Sequence, residues 1–160
     1  MGALLEVRNV GGRGLGVFSL SGILKGSRVV RFYGKPRWIW DIPRWEWDHL
    51  YQIDYDRYLV PSAGSFGWSI NHSCSPNCAV HGERDLVAIR NIAAGEELTF
   101  DYSTNVGWDG YLMVCSCGSK ACRGTVTSYQ RLGGEWKERY RGMVSPFLLK
   151  APRSVRPTLF

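Results

Sequence analysis

The chain lacks several features that would place it in a membrane or in a secretory route. No hydrophobic run approaches the roughly 20 residues that a membrane-spanning helix needs. The first residues, MGALLEVRNV, contain no basic segment followed by an apolar stretch, so we predict no secretory signal. Glu6 stands where an N-myristoylation site would have Ser or Thr. We therefore expect no membrane partner and an intracellular protein, cytoplasmic in a prokaryote or nuclear and chromatin-associated in a eukaryote or virus.

Histidine and cysteine are scarce, with three and five residues in the chain, and they are clustered. The polar stretch NHSCSPNC (71–78) contains His72, Cys74 and Cys78. The other cysteines are Cys115, Cys117 and Cys122. Such clustering argues against a disulfide framework, and the missing secretory signal indicates a reducing compartment. In that setting thiols more often bind metal or stay free.

Charge is distributed unevenly along the chain, whose net charge is +6. Residues 1–130 carry 13 Lys/Arg and 12 Asp/Glu, or +1, whereas residues 131–160 carry 7 and 2, or +5. A solvated basic tail is the simplest interpretation of this segment. The alternative is a weak contact of residues 131–156 with nucleic acid or with an acidic protein surface.

Alternation of apolar and polar residues predicts mostly β structure, without internal repeats or low-complexity linkers. The strand candidates are LEVRNV (5–10), RVVRFYG (28–34), DRYLVPS (56–62), DLVAIRNI (85–92) and ELTFDY (97–102). Two short helices are expected at 43–51, with Pro43 in the first turn, and at 134–143. The pattern predicts a mostly-β domain with a helical insert and a small Cys-rich C-terminal module.

The last three cysteines form a C-x-C-x4-C pattern, which is typical of a zinc site. Gly118 and Gly124 permit the sharp turns that would bring the three thiols around one ion. Structural zinc takes four ligands, so one must come from elsewhere in the chain. From the residues alone the candidates are Cys74, Cys78, His72 and His81.

Two other patterns are weak when taken singly. Gly14-x-Gly16 lacks the following helix that a dinucleotide-binding turn requires, so a plain hairpin turn is the simpler interpretation. His72, Cys74 and Asp101 could formally make a catalytic dyad or triad. We disfavour that hypothesis because there is no Gly-x-Ser-x-Gly context and because a metal-bound thiol is not a free nucleophile.

Taken together and in order, the motifs resemble those of the SET-domain protein-lysine methyltransferases with a post-SET zinc module. The motifs are Gly14-x-Gly16, Asn71-His72-Ser73-Cys74 with Pro76-Asn77, GEELTFDY (95–102), and C-x-C-x4-C-R-G (115–124). The resemblance covers about residues 5–128 and implies a β-clip (SET) fold, small β-sheets around a pseudoknot. It implies a SET domain at 1–112 with a variable insert at about 36–58, a post-SET zinc module at 113–128 and a basic extension at 129–160.

The resemblance also implies a cofactor and a reaction. S-adenosylmethionine would donate methyl groups to the side-chain amine of a lysine in a basic protein, such as a histone or another chromatin protein. The implied cofactor-binding residues are Gly14, Leu15, Gly16, Asn71, His72 and Tyr102. Tyr102 is implied to be catalytic, and Phe100 is implied to act as a switch that leaves room for di- or trimethylation.

For the metal site, the resemblance selects Cys74 as the fourth zinc ligand, beside Cys115, Cys117 and Cys122. Cys78 would then be a free thiol. Asn71 and His72 would face the cofactor while Cys74 faces the metal, so the loop must bend to separate their side chains.

Some positions depart from the family pattern. Trp68 and Ser69 stand where the family has Arg and Phe, and Phe32 stands where it has Tyr. These departures leave open a second hypothesis, a catalytically weak SET-like zinc module that binds chromatin or a protein.

The insert is rich in acidic and aromatic residues. Residues 38–58 hold five Asp/Glu and two Arg, a net charge of −3, with four Trp and three Tyr. Such a wall would suit a Lys/Arg-rich peptide through charge and cation–π contacts. The alternative is that the aromatic residues form a small core and the acids its solvated face.

Overall fold

The fold is built from very short strands, as a computed structural model of the chain shows for residues 3–150. The strands in the first half are β1 (Leu5–Asn9), β2 (Leu15–Ser19), β3 (Arg28–Arg31), β4 (Pro36–Trp38), β5 (Tyr51–Asp54) and β6 (Arg57–Leu59). The second half adds β7 (Asn71–His72), β8 (Cys78–His81), β9 (Asp85–Ala88), β10 (Glu97–Phe100), β11 (Leu112–Val114) and β12 (Thr125–Thr127). Two α-helical segments are α1 (Phe66–Ser69) and α2 (Gly134–Arg139). Within residues 3–150 no helix has the length and apolar character to cross a membrane.

The strands form four small sheets. Their orders are β1-β2-β10-β7, β3-β9-β8, β4-β6-β5 and β11-β12. The main core lies between the first three sheets, with Val17, Leu59, Leu86 and Leu98 fully buried in it. The alternating burial of β9 agrees with the strand prediction, and β3 lies within its predicted range. The predicted mostly-β architecture of small sheets is confirmed.

The pairing of β7 with β10 fixes the position of the functional motifs. It is parallel, with Thr99 opposite Asn71 and Phe100 opposite His72. The N–H of Ser73 continues the ladder to the carbonyl of Phe100 at 3.2 Å. Because parallel partners need a long connection, two motifs far apart in the sequence meet side by side. This crossing places the 71–78 stretch against β10, two residues before Tyr102.

The insert combines the β4-β6-β5 sheet with a helical part that is not a regular α-helix. It contains 3₁₀ turns at Ile39–Asp41 and Arg44–His49. Its aromatic residues have only moderate α-helix propensity, and six residues are too few for a stable α-helix without packing. The Trp47 indole N–H donates to the carbonyl of Ile42 at 3.0 Å, which closes the turn on itself.

The C-terminal extension packs against the rest of the chain. Residues Tyr129–Arg131 and Pro146–Leu149 form 3₁₀ turns on either side of α2. A second hydrophobic cluster is made of Leu132, Tyr140, Val144, Phe147 and Leu148. The solvated-tail interpretation is therefore wrong for residues 131–150, while residues 151–160 lie outside the described part of the chain.

Candidate active site and metal centre

The Asn71 side chain connects the glycine turn to the central sheet. Its Nδ2 donates to the carbonyl of Leu15 at 2.8 Å and to Glu97 Oε1 at 2.9 Å. Glu97 also accepts from the guanidinium of Arg13, with 2.8 Å between Nη2 and Oε2. These contacts hold the turn beside the start of β7. Arg13 and Glu97 did not stand out in the sequence, since only the fold brings them together.

Gly14 and Gly16 serve the turn in different ways. Gly14 has φ of +75°, a conformation that favours glycine, and open space lies where a Cβ would be. At Gly16 a Cβ would lie only 2.7 Å from Glu97 Oε1 and 3.2 Å from Asn71 Nδ2. The Gly14 backbone thus stays accessible to a ligand, and Gly16 allows the polar contacts behind it.

Tyr102 is anchored through both its backbone and its hydroxyl. Its N–H donates to His72 Nδ1 at 3.2 Å, and its hydroxyl donates to the carbonyl of Ile70 at 2.8 Å. Burial raises the pKa of the Tyr102 hydroxyl, so this group stays protonated at neutral pH. Two oxygens, the Tyr102 hydroxyl and the Ile70 carbonyl, therefore lie together at the end of β10. Such oxygens can accept weak C–H···O contacts from a methyl group.

Phe100 forms an apolar neighbourhood beside Tyr102. The two ring centroids are 5.0 Å apart, and Phe32 lies edge-on to Phe100 at 6.2 Å. Phe32 stacks on Tyr51 at 3.8 Å, and Gly67 of α1 approaches it so closely that a Cβ would meet its ring at 3.0 Å. The ring of Phe32 is therefore fixed by packing, without the hydroxyl that the family pattern would place there.

His72 turns its ring toward Cys74, whereas the family resemblance implied a ring that faces the cofactor. Its Nε2 lies 3.3 Å from Cys74 Sγ. Burial lowers the pKa of His72 to about 4, so the ring is neutral at neutral pH. Because Nδ1 accepts the N–H of Tyr102, the single ring proton belongs on Nε2. In this arrangement His72 donates a hydrogen bond to the sulfur, and a cofactor would meet mainly its backbone.

The cysteine cluster has the composition and spacing of a metal site. The ligand atoms of His72, Cys74, Cys115 and Cys117 all lie within 4.8 Å of one another. Cys74 Sγ and Cys115 Sγ are 3.7 Å apart. A tetrahedral zinc site with Zn–S bonds of about 2.3 Å has edges of about 3.8 Å. Thiols of this type and separation fit zinc.

Cys122, the last predicted ligand, lies outside that four-residue group but close to it. Its Sγ donates to the backbone carbonyl of Cys115 at 3.8 Å. Backbone N–H groups donate to Cys122 Sγ and to Cys74 Sγ, each at 3.4 Å, from Gly124 and Arg123. Such donors stabilise metal-bound thiolates. Cys122 and His72 are therefore the competing candidates for the fourth position.

Cys78 has none of these features. It is buried in the core, and burial raises the pKa of its thiol to about 12. Its only side-chain partner within residues 3–150 is Asn77 Oδ1, at 3.5 Å. An apolar, protonated thiol agrees with the expectation that Cys78 stays free and unreactive.

Asn77 is a site-forming residue to which the sequence analysis assigned no role of its own, although it belongs to the motif at 71–78. It is buried, and its Nδ2 donates to the carbonyl of Glu97 at 2.7 Å and to Glu96 Oε1 at 3.0 Å. Its Oδ1 accepts the N–H of Thr99 at 2.9 Å. One side chain thus joins the 71–78 stretch to β10. The only signal in the sequence was an amide placed after Pro76.

The departure at Trp68 has a structural counterpart in the insert. The Trp68 ring stacks on His49 at 3.8 Å, and His49 Nδ1 lies 3.2 Å from the carbonyl of Trp68. A flat aromatic pair thus joins α1 to the insert where the family pattern has Arg. The stack fixes the insert close to the strand that carries Asn71.

Comparison with known proteins identifies the family. The SET domain matches residues 14–103, more than half of the chain. Histone-lysine N-methyltransferase SUV39H2 of Xenopus tropicalis is 32% identical over 157 residues, covering 76% of this chain and 39% of the relative. A histone-lysine N-methyltransferase of Mycosarcoma maydis, H3 lysine-36 specific, is 40% identical over 110 residues, covering 62% of this chain and 11% of the relative.

A solved structure gives the same result. The crystal structure of KRYPTONITE in complex with mCHH DNA, H3(1–15) peptide and SAH aligns with a TM-score of 0.61 and 30% identity, covering 78% of this chain and 29% of that one. The chain belongs to the SET domain family, and its relatives are histone-lysine methyltransferases. It spans well under half the length of each of these three proteins.

Proposed function

We propose that this chain transfers methyl groups from S-adenosylmethionine to the side-chain amine of lysine in a histone-like basic protein. The observation that carries the proposal is the meeting of two motifs at the end of β10. The N–H of Tyr102 binds the His72 ring and its hydroxyl binds the carbonyl of Ile70, directly before Asn71. The names of the curated relatives, all histone-lysine methyltransferases, support it.

The cofactor would lie between the glycine turn and β7. The accessible backbone at Gly14, the Leu15 carbonyl held by Asn71, and the β7 backbone surround the same space. The KRYPTONITE structure contains SAH, which is what remains of S-adenosylmethionine after methyl transfer. When bound, S-adenosylmethionine supplies a methyl group that its sulfonium already activates.

The residues of the chain then contribute positioning rather than covalent chemistry. A neutral lysine amine must approach the methyl carbon in line with the bond that breaks, and fixed geometry is the main catalytic contribution. The Tyr102 hydroxyl and the Ile70 carbonyl supply oriented oxygens. Lysine has an ordinary pKa of about 10.4, and apolar surroundings favour its neutral form. Phe100, which is buried, contributes to such surroundings.

Phe100 also supports a proposal about the product. A phenyl ring leaves space that a tyrosine hydroxyl would fill, so a mono- or dimethylated amine can still enter. We therefore expect di- or trimethyl-lysine as the final product.

A basic peptide is the proposed substrate. Within the insert, Trp38 and Trp40 are exposed and stack on each other at 5.0 Å, while Asp41 lies exposed beside them in the chain. Arg57 sits over the Trp38 ring at 5.2 Å, and this intramolecular contact supports cation–π recognition at the same aromatic surface. The KRYPTONITE structure includes an H3(1–15) peptide, which supports a histone-like substrate.

The proposed nucleic-acid contact has weaker support. Arg131 pairs with Asp109, Arg141 with Glu138, and Lys137 donates to the carbonyl of Gln130. These intramolecular contacts reduce the positive charge that is available to bind a phosphate backbone. The contact remains a prediction that depends mainly on the basic residues near the end of the chain.

The test is transfer of a labelled methyl group to recombinant core histones, with wild type, Tyr102→Phe and Tyr33→Phe compared. Tyr33 is a matched control, because it is 72% exposed and loses the same hydroxyl. We expect one labelled histone with wild type and Tyr33→Phe, and a rate at least about 100-fold lower with Tyr102→Phe.

Two results would contradict the proposal. Equal labelling by Tyr102→Phe and wild type would show that Tyr102 is not catalytic. Tight binding of histone and S-adenosylmethionine by wild type without any transfer would instead support a SET-like binding module.

A further inference from the structure

The C-terminal extension contacts the polypeptide immediately behind the candidate catalytic tyrosine. The N–H of Ser145 donates to the carbonyl of Thr104 at 2.9 Å. Asn105 Nδ2 donates to Ser145 Oγ and to the carbonyl of Gln52, each at 2.7 Å. The extension is thus hydrogen-bonded to the turn that begins at Tyr102 and, through Asn105, to β5.

Packing at Gly107 shows how closely the extension fits. A Cβ there would lie 2.8 Å from the Phe147 ring and 3.0 Å from the Leu148 side chain. Phe147 also meets Tyr55 edge-on at 5.4 Å. Interior packing of this density transmits displacements from one element to its neighbour.

A buried ion pair links the zinc-binding segment to the residue that precedes Tyr102. The Arg123 guanidinium donates to both oxygens of Asp101, at 2.6 and 2.8 Å. The Asp101 side chain is 0% exposed and that of Arg123 is 13% exposed. Asp101 Oδ1 also accepts the N–H of Ser103, which begins the turn after β10. Because a buried carboxylate without its partner is costly, anything that holds Arg123 in place also holds this turn.

One face of α2 covers this ion pair. The Trp136 ring lies 4.7 Å from the guanidinium carbon of Arg123. Tyr140, four residues later and at the end of the same helix, is buried. Its ring stacks on that of Trp136, with 6.3 Å between the two ring centroids. Trp136 and Tyr140 therefore shield the pair from water, which strengthens a charged contact.

We propose that α2 is a positioning element, in which Trp136 and Tyr140 keep Arg123 on Asp101 and so fix both Tyr102 and the Cys122 end of the metal site. The part that concerns Tyr102 rests on the proposed methyl transfer. The part that concerns the metal site does not, since Arg123 directly follows Cys122 whatever the activity.

The experiment compares Trp136→Ala, Trp136→Phe and Glu135→Ala in the full chain loaded with zinc. Glu135 is exposed on the same helix and serves as the control. Zinc transfer to a chromogenic chelator is followed well below the unfolding temperature, which is measured for each variant. Methyl-transfer kinetics with a histone peptide give kcat and KM separately.

We expect Trp136→Ala to release zinc about fivefold faster, the size of one partly buried cation–π contact. Its kcat should fall by a similar factor while KM for the peptide stays constant, because in this proposal α2 acts through Arg123 and not on the peptide. Trp136→Phe keeps an aromatic face, so its zinc-release rate and its kcat should both lie close to the wild-type values. General destabilisation would not predict this result. Glu135→Ala should match wild type.

Zinc release from Trp136→Ala at the wild-type rate would overturn the proposal. Faster release with unchanged kcat would overturn the part that concerns Tyr102. Arg123→Lys provides a second variant, because it keeps the charge but loses the bidentate contact with Asp101. It should also release zinc faster and lower kcat. If wild type transfers no methyl group, the proposed function fails while zinc release still decides the role of α2.

Discussion

Phe100 and Tyr102 lie two residues apart at the end of β10, and their rings are neighbours at 5.0 Å. Their environments nevertheless differ. Tyr102 uses its hydroxyl to bind the Ile70 carbonyl, whereas Phe100 is surrounded by other aromatic rings. Tyr102 thus presents a hydroxyl and Phe100 does not. We expect both features to affect the reaction.

Phe100→Tyr should shift the product from di- or trimethyl-lysine toward monomethyl-lysine. The added hydroxyl would occupy space that an alkylated amine needs, and excluding one methyl group typically changes a rate by about tenfold or more. Mass spectrometry of a histone peptide over time measures the distribution. An unchanged distribution at equal turnover would contradict the role of Phe100.

Glu96 gives a prediction about acid stability. Its hydrogen bond with Arg90, opposed by burial and aided by bonds from Asn77 and Ala93, lowers its pKa to about 2. The unfolded chain has a Glu pKa of about 4.3. A lowered folded-state pKa means that the stabilisation is complete above pH about 4 and is lost as pH falls to about 2.

Glu96→Gln should therefore be less stable than wild type at pH 7 by about 1 kcal/mol, a value reduced for partial exposure. The difference should shrink between pH about 4 and about 2. Urea unfolding of both proteins in the same metal state measures it, with Glu83→Gln as an exposed control. A gap that stays constant down to pH 2 would show that the Glu96 charge is not responsible.

At the scale of elements, the sequence predicted those strands whose pattern is local. Alternation located β1, β3, β9 and β10 within a few residues. It did not reveal β7, because two polar residues, Asn71 and His72, carry no alternating pattern. Their strand exists only because β10 pairs with it, and a non-local parallel pairing leaves no local signal.

Some residues of the candidate site could likewise be predicted from the sequence, and others could not. The conspicuous residues, such as Asn71, Tyr102 and the cysteines, were found from their types and spacing. Arg123 and Asp101 were overlooked as a pair, because their contact depends on how the cysteine-rich segment folds back. The directions of the side-chain rings could not be predicted from the sequence either. The ring of His72, for example, faces Cys74.

Gly16→Ala should weaken S-adenosylmethionine binding by roughly tenfold, about 1.4 kcal/mol. The added Cβ would collide with Glu97 Oε1 at 2.7 Å and displace the Asn71 amide that holds the Leu15 carbonyl. Gly12→Ala is the matched control, since nothing lies within 4 Å of a Cβ there. Calorimetric titration measures both, and equal affinities would place the cofactor elsewhere.

Zinc content should distinguish the two candidates for the fourth ligand. His72 Nε2 carries the proton in the arrangement described, so we expect Cys122→Ser to lose zinc and His72→Gln to retain about one ion per chain. Cys78→Ser, outside the cluster, should also retain it. Metal analysis after dialysis gives the answer, and the opposite pattern for Cys122 and His72 would make His72 the ligand.

At the scale of the whole molecule, charge is separated between two regions. Residues 38–58, which make up most of the insert, have a net charge of −3, and the last 30 residues have +5. Not all of the insert's acids are available, because Glu46 pairs with Arg37 at 3.4 Å. Asp41 and Asp48 are exposed.

This arrangement predicts how a basic peptide is recognised. Asp41→Asn together with Asp48→Asn should raise KM for a histone peptide by about tenfold and change kcat by less than about twofold, because these charges attract the substrate without contacting the reacting atoms. The wild-type KM should rise steeply with salt and that of the double variant should not, since exposed charges are screened. Glu46→Gln should leave KM unchanged, because its carboxylate already has a partner within the insert. Steady-state kinetics at two ionic strengths test all three expectations. A lower kcat at constant KM would mean that the insert's acids act on the catalytic geometry rather than on the substrate.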